Sequence, residues 1–420
     1  MFKINSVRLA SLATFFAFAI ACVGSLAFAQ SAVTGAVGGV VTDPNNAAVA
    51  NATVTLLSAD TNKKDTATAD NEGRFRFTNL QPGTYTITIS ASGFSEFKQE
   101  KIIVEVGRVT NVDAVLRVGA AAATVEIVSG GAAVNLESKD FTTNINQTSI
   151  NELPINGRRW SDFALLTPGS VPDATFGLIS FRGISGLLNN NTVDGGDNNQ
   201  AFFSEERGRT RINYSISESA IREFQVNTSN YSAEYGRSAG GVTNAVVKSG
   251  SNQLHGDGFY FNRNSGLGAR PPLAFQSVLL PSGSATSVGI KPLDVRQQFG
   301  GTLGGPIIKD KLFFFFSYDQ QKRNFPGVAA FSSPNYLNTV DRSTLMTKSG
   351  LTTAQINSAL SFLNSETGQV PRRGDQKLAL GKIDWQINSA NSFAITYNRL
   401  RWNSPAGIQT SPVVSRGLTS

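Results

Sequence analysis

The feature that most limits the fold is a two-residue alternation in the last third of the chain. Ala379, Gly381, Ile383, Trp385 and Ile387 alternate with Leu380, Lys382, Asp384, Gln386 and Asn388. Phe393, Ile395 and Tyr397 alternate with Ser392, Ala394 and Thr396, and Leu312, Phe314, Phe316 and Tyr318 with Phe313, Phe315, Ser317 and Asp319. A period of two puts successive side chains on opposite faces of a strand. Strands are expected at 253–264, 296–305, 311–322, 377–387 and 392–402, lengths that suit a tilted membrane crossing. A buried sandwich alternates in the same way, so alternation alone leaves both architectures open. The connections between these strands are alternately long and short, as in outer-membrane barrels with long external loops and short periplasmic turns. On the barrel reading Ile383, Trp385 and Ile387 face lipid, and Trp385, Tyr397 and Trp402 stand in an aromatic girdle. In the longest connection Thr352 and Gln355 form a capping box before Ile356, Ala359, Leu360 and Leu363, which predicts a helix. Five strands cannot close a barrel, because an open edge in lipid leaves backbone groups unpaired. The chain is therefore expected to be a fragment or truncated frame, or to lack a downstream continuation.

Residues 1–29 read as a cleaved secretory signal peptide. Lys3 and Arg8 open it, Leu9 to Leu26 is almost wholly apolar, and Ala27-Phe28-Ala29 is a small-x-small cleavage site. An anchoring helix is the alternative. Cys22 is the only cysteine, so the exported remainder must be held by burial rather than disulfides. No later run reaches 18 apolar residues, so no spanning helix is expected. One histidine, His255, cannot build a two-His zinc site, and the HExxH pattern is absent. An enzyme, a metal and a cofactor are therefore not expected; carboxylate-only hydrolysis alone stays open. Without Lys3 and Arg8 the formal charge of +7 falls to +5, and no dense Lys/Arg block exists, so nucleic acid is not an expected partner.

Residues 31–118 read as an all-β domain. Tyr85, Ile87 and Ile89 alternate with Thr84, Thr86 and Thr88, and turn signals stand at Asp43-Pro44-Asn45-Asn46, Asn71-Glu72-Gly73 and Gln81-Pro82-Gly83. Short strands at this spacing suggest a β-sandwich. The order Gly39-Val40-Val41-x-Asp43, Asn71-Glu72-Gly73-x-Phe75, Leu80-x-Pro82-Gly83-x-Tyr85 and Gly93-Phe94 resembles the carboxypeptidase regulatory-like domain. That resemblance implies a transthyretin-like, carbohydrate-binding-like sandwich without catalytic activity. Residues 119–144 form a linker that opens with an Ala/Gly run and contains the short extended segment Val125-Glu126-Ile127-Val128.

A second series spans 145–252. It runs Glu152-Leu153-Pro154-Ile155-Asn156-Gly157-Arg158, Leu166-Thr167-Pro168-Gly169, Phe181-Arg182-Gly183 and Val193-Asp194-Gly195. It closes with Ile221-Arg222-Glu223-Phe224-Gln225-Val226, Tyr231-Ser232-Ala233-Glu234-Tyr235-Gly236 and Lys248-Ser249-Gly250-Ser251-Asn252. In this order the pieces resemble the plug domain of Oar-like TonB-dependent outer-membrane receptors. Gln298-Phe299-Gly300-Gly301 and Gly304-Gly305-Pro306 resemble the segment that opens the barrel of that family.

The resemblance implies a mainly β chain: a sandwich, a small α/β plug, and at 253–420 the first strands of a large antiparallel transmembrane barrel. It implies residence in the outer membrane of a Gram-negative-type bacterium, with outer-membrane lipid and a TonB-type inner-membrane energy-coupling protein as partners. The ligand is left open among a siderophore or other iron chelate, an oligosaccharide (glycan) and a peptide. Val125, Glu126, Ile127 and Val128 are the candidate energy-coupling segment, with an ordinary linker strand as the alternative. Arg158, Arg182, Asp194, Arg222 and Glu223 are expected to form ion pairs between plug and barrel wall rather than to touch ligand, since an unpaired buried charge is costly. His255 reads as a strand-start residue, Asp194-Gly195-Gly196-Asp197 as a turn, and the Gly300 and Gly304 pairs as sites of close backbone approach. A surface adhesion protein whose sandwich binds glycan is the competing function.

Overall fold

The computed structural model describes residues 33–119, 125–128, 141–153, 155, 158–173, 178–200, 214–231, 235–270, 272, 275–279, 285–289, 291–329, 339–365, 368–370, 372–388 and 391–404. The leader at 1–29 lies outside the described residues. The N-terminal strands are β1 (Gly35–Thr42), β2 (Thr53–Ser58), β3 (Lys64–Thr68), β4 (Arg74–Leu80), β5 (Gly83–Ser90), β6 (Phe97–Val104), β7 (Val109–Asn111), β8 (Ala114–Val115) and β9 (Val125–Val128). One sheet runs β4-β1-β7 with β8 also on β1; the other runs β3-β2-β5-β6-β9. The alternation in β5 sends Tyr85, Ile87 and Ile89 inward. There they meet Val37, Val41, Leu56, Phe75 and Phe77 in one continuous core between the sheets.

The middle segment contains β10 (Phe141–Ile145), α1 (Gln147–Glu152), β11 (Ser170–Asp173), β12 (Leu178–Phe181), β13 (Asn190–Val193), β14 (Gly196–Asp197), β15 (Ile221–Ser229) and β16 (Val242–Val247). Its mixed sheet has the order β10-β15-β16-β13-β14, with β13 parallel to β16. Every residue of β16 is buried, as a strand covered on both faces must be. Trp160 and Phe163 pack on Phe224 of β15, with ring centroids 6.1 and 5.7 Å away. The same core takes in Phe315, Leu378 and Leu380 from the last third of the chain.

That last third contains β17 (His255–Asn264), β18 (Phe275–Leu279), β19 (Ala285–Gly289), β20 (Val295–Ile308), β21 (Leu312–Asn324), β22 (Gly327–Ala329), α2 (Arg342–Ser349), α3 (Thr353–Ser365), β23 (Gly368–Val370), β24 (Asp375–Gln386) and β25 (Ser392–Asn403). Five of these strands form a meander, β17-β20-β21-β24-β25, in which each pairs antiparallel with the next. The five strands expected from alternation are these five. The capping box is reciprocal: Gln355 N donates to Thr352 Oγ1 at 3.3 Å, and Thr352 N to Gln355 Oε1 at 2.9 Å. The hairpins β18–β19 and β22–β23 and helix α2 fall within the long connections, where no periodicity announces them. Gly300 and Gly301 lie inside β20, where a Cβ would come within 2.1 Å of the Tyr318 carbonyl and 2.5 Å of the Asp257 carbonyl. Neighbouring backbones therefore approach more closely there than any side chain permits.

The two faces of the meander have opposite chemistry. Towards the middle segment it buries Gln298, Thr302, Ser317, Asp319, Gln321, Gln376, Lys382 and Asp384 beside Phe313, Phe315, Leu378 and Leu380. Away from it Leu303, Ile307, Phe316, Trp385, Phe393, Ile395 and Tyr397 are exposed. A water-soluble sandwich has the reverse arrangement, apolar inside and polar outside. An apolar outer band over a polar interior is the arrangement of a transmembrane barrel wall.

Candidate functional site

The site is the set of contacts that hold the middle segment against the wall and the sandwich. Its hub is Asp319 of β21, which is fully buried. Its carboxylate accepts from Tyr214 Oη at 2.8 Å, from Ser217 Oγ at 2.8 Å and from Gln298 Nε2 at 3.2 and 3.3 Å. Gln298 Nε2 also donates to Tyr214 Oη at 2.8 Å. Burial and the neighbouring Asp319 raise the Tyr214 hydroxyl well above its ordinary value, so it stays a donor. Gln376 of β24 donates to the Tyr214 carbonyl, and Asn398 of β25 to the Ser215 carbonyl at 2.8 Å. Four wall strands, β20, β21, β24 and β25, thus grip the short run 214–217.

The expected plug residues divide among three roles. Asp194 contacts two of the wall strands: its Oδ2 lies 3.2 Å from Lys382 Nζ and accepts from Thr396 Oγ1 at 3.3 Å. Its Oδ1 accepts from Val247 N at 2.8 Å. Asp194 (φ 47°) and Gly195 (φ 74°) make the two-residue turn between β13 and β14. Two successive positive φ values define a type I′ hairpin, which Asp-Gly suits. Arg158 pairs with Glu218 of the same segment at 3.2 Å, and it reaches the wall through ring faces, 4.3 Å from the Phe259 centroid and 4.8 Å from that of Phe261. Burial raises the Glu218 carboxyl, and Arg158 opposes the shift.

The other three depart from the expectation of wall contacts. Arg182 is exposed at a second such turn, Arg182-Gly183, where both residues have positive φ (55° and 81°) and Ile184 N donates to the Phe181 carbonyl at 3.0 Å. Arg222 pairs with Asp60 of the sandwich at 3.2 Å. Glu223 Oε1 accepts from Val106 N of the sandwich at 2.6 Å. Their neighbours β10 and β15 run along the sandwich rather than the wall: Asn144 Nδ2 and Gln225 Nε2 both donate to the Val106 carbonyl, at 3.0 and 3.2 Å.

Burial pushes the Glu223 carboxyl up to about 7, with Glu105 adding to the shift and Val106 N–H, Arg222 and Arg108 opposing it. The folded carboxyl holds its proton more tightly than the unfolded one. Its contribution is therefore fully present below about pH 4.5 and is lost as pH rises through about 7. Thermal unfolding of the intact protein is expected to show a sandwich contact weaker at pH 8 than at pH 5, by up to about 3 kcal/mol. Glu223→Gln is expected to flatten that dependence; an unchanged pH profile in this variant would rule Glu223 out as its source.

Among the wall residues, the register puts Ile383 in an outward row with Phe314 and Ile395. Trp385 pairs with Leu312 and Phe393 at the short-turn end, and Tyr397 shares a row with Phe316 through Gly381. Two residues need correction. Ile387 follows the end of β24 and belongs to the tight turn, its N–H donating to the Asn391 carbonyl at 3.0 Å. Trp402 is in register with Gln376, whose side chain faces the middle segment, so it lies on the inner face and not in an outer girdle. The parity of β25 requires this, since Tyr397 and Trp402 are five residues apart in sequence.

His255 starts β17 and is exposed. A polar cavity of about 1240 Å³ lies between the three parts, lined by Asp60, Arg222, Lys248, Asp194, Lys382 and Asp384 among others. No group of three or more metal-ligating side chains occurs among the described residues. Sequence reasoning missed Tyr214, Ser217, Asp60 and Val106. No motif marks them, although Asp319, three residues after a run of four phenylalanines (Phe313–Phe316), is a visible oddity.

An apolar-outside, polar-inside wall gripping an internal α/β unit defines the class of outer-membrane β-barrel proteins. Family models agree: the carboxypeptidase regulatory-like domain matches residues 36–117, and the outer membrane beta barrel domain matches residues 246–338. The chain thus combines both domains, and in sequence it is Oar-like. It is 30% identical over 305 residues to the TonB-dependent transporter Oar of Myxococcus xanthus, across 70% of this chain and 27% of that protein. The chain therefore spans about a quarter of the length of this relative. Among solved structures, the siderophore receptor PirA of Acinetobacter baumannii overlaps 63% of this chain and 32% of its own, with 18% identity and a TM-score of 0.39. The outer membrane transporter YddB of Escherichia coli overlaps 63% and 33%, with 16% identity and a TM-score of 0.42. Scores this low describe partial overlap of β-rich folds and nothing more. The barrel-domain match and the transporter relative support an outer-membrane location.

Proposed function

We propose that the chain is part of a TonB-dependent outer-membrane receptor that moves a scarce ligand inward past a gated plug. On this reading 1–29 is the signal peptide, 31–118 the sandwich, 119–144 the linker, 145–252 the plug and 253–420 the start of the barrel. The observation that carries it is the pairing of a polar, buried inner wall face with the middle segment, through Asp319 and through Lys382–Asp194. Such contacts hold a plug in place. Ligand binds at external loops, a TonB-type partner pulls on Val125–Val128, and the proton gradient supplies the energy. No covalent chemistry is needed. The ligand is an iron chelate, an oligosaccharide or a peptide. The sandwich lies beside a short turn, with Asn62 Nδ2 donating to Asp310 Oδ1 at 3.1 Å. Short turns face the periplasm in such barrels, which counts against an external, glycan-binding adhesin.

Uptake of labelled ferric siderophores, oligosaccharides and peptides by cells carrying the full-length protein tests this reading. Collapse of the proton gradient is expected to stop it. Deleting 124–128 is expected to abolish uptake while leaving membrane insertion intact; normal uptake after the deletion would refute the coupling assignment.

A further inference from the structure

The segment read as the coupling strand is already paired within the chain. β9 adds to the free edge of β6 in parallel, with Phe97, Lys98, Gln99 and Glu100 in register with Val125, Glu126, Ile127 and Val128. The ledge is just long enough for it. At Glu100 and Lys101 a bulge interrupts β6: Ile87 opposes Gln99 and Tyr85 opposes Ile102, so these two residues stand against Thr86. Lys101 takes φ 58° there. Such a bulge bends the strand and ends regular pairing. β9 therefore pairs along Phe97–Glu100, up to the bulge and not past it. Lys98 and Glu100 form an ion pair at 2.5 Å on the ledge, and charges of this kind discourage foreign strands from adding to an edge. Glu126 is in backbone register with Lys98.

From this we infer that β6 is a resting dock for the coupling segment, and that the TonB-type partner must compete with it for the same four residues. The inference rests on Val125–Val128 being the coupling segment. Strand addition uses the backbone groups of one edge, so a strand held on β6 has those groups engaged and is unavailable to a second sheet along that edge. A dock in the same chain acts at an effective concentration on the order of millimolar, so an unstimulated receptor is kept from idle coupling.

The test uses the full-length protein in outer-membrane vesicles and the purified periplasmic domain of a TonB-type protein as probe. Residues 30–420 contain no cysteine, so Gln99→Cys with Ile127→Cys introduces one disulfide within this stretch, between neighbouring strands. Oxidation is expected to form it and to weaken capture of the probe by about tenfold or more, with full recovery on reduction. Lys98→Glu, which loosens the dock, is expected to strengthen capture. Failure of the disulfide to form, or equal capture before and after oxidation, overturns the dock. Deleting 125–128 separates this from the coupling reading. If the deleted chain still captures the probe, the coupling assignment has failed; if it does not, while the cross-linked chain captures normally, only the dock has failed.

Discussion

Arginine in place of Ile383 is expected to stop the full-length protein from assembling in the outer membrane. Ile383 lies inside β24, on the face away from the middle segment, in a row with Phe314 and Ile395. The rows on either side of it are Leu312–Trp385–Phe393 and Phe316–Gly381–Tyr397, so a charge there meets no side chain of opposite charge in these rows. A basic side chain at mid-membrane on a barrel's lipid face costs about 2–4 kcal/mol, falling to about 0–1 near the interfaces. Ile387→Arg is therefore expected to be nearly silent, because Ile387 sits in the turn at the end of the strand. The contrast between the two separates lipid exposure from a general intolerance of charge. Heat-modifiable migration and protease resistance of the membrane fraction report assembly. Equal assembly of Ile383→Arg and the unaltered protein would mean that this face does not meet lipid.

The strands of the wall were legible because alternation is local: each residue's neighbours in sequence decide its face. The direction of that alternation was legible only on the barrel reading, which turns Ile383 and Trp385 outward; alternation alone left a buried sandwich open. Leu380 and Ile383 are both apolar, yet Leu380 packs in the core with Phe315 while Ile383 faces outward. Only the presence of Asp319, Lys382 and Asp384 on one parity identifies the interior, and this becomes decisive once the middle segment is seen to lie against them. The plug-like motifs were readable as a series, but their partners were not. Arg222 and Glu223 are adjacent, and both reach the sandwich through Asp60 and Val106, more than a hundred residues away. Nothing in a linear pattern encodes such distant partners. Arg182 and Asp194 occupy their motifs partly for conformational reasons, since each begins a turn of two positive φ values. The likeness of Val125–Val128 to a strand was visible; the edge that receives it depends on a bulge at Lys101 that has no sequence signal.

Asp319→Ala is expected to release the middle segment from the wall. The substitution removes one carboxylate and leaves three donors, Tyr214 Oη, Ser217 Oγ and Gln298 Nε2, pointing into a cavity. An orphaned buried polar group costs about 1–3 kcal/mol. The loss is expected to be local, because the wall strands keep their backbone pairing through Asp319 in register with Gly300 and Leu378. The barrel should therefore insert normally while its interior loosens. Faster proteolysis of the middle segment and entry of a large polar antibiotic into cells are the expected readouts. Adding Tyr214→Phe and Ser217→Ala to Asp319→Ala removes two of the stranded donors, so the triple variant is expected to recover part of the loss. That non-additivity distinguishes an unsatisfied hydrogen-bond hub from a simple packing defect, in which each further truncation enlarges the cavity and lowers stability again. A triple variant weaker than Asp319→Ala would show that the hub holds the plug by shape and not by its charge.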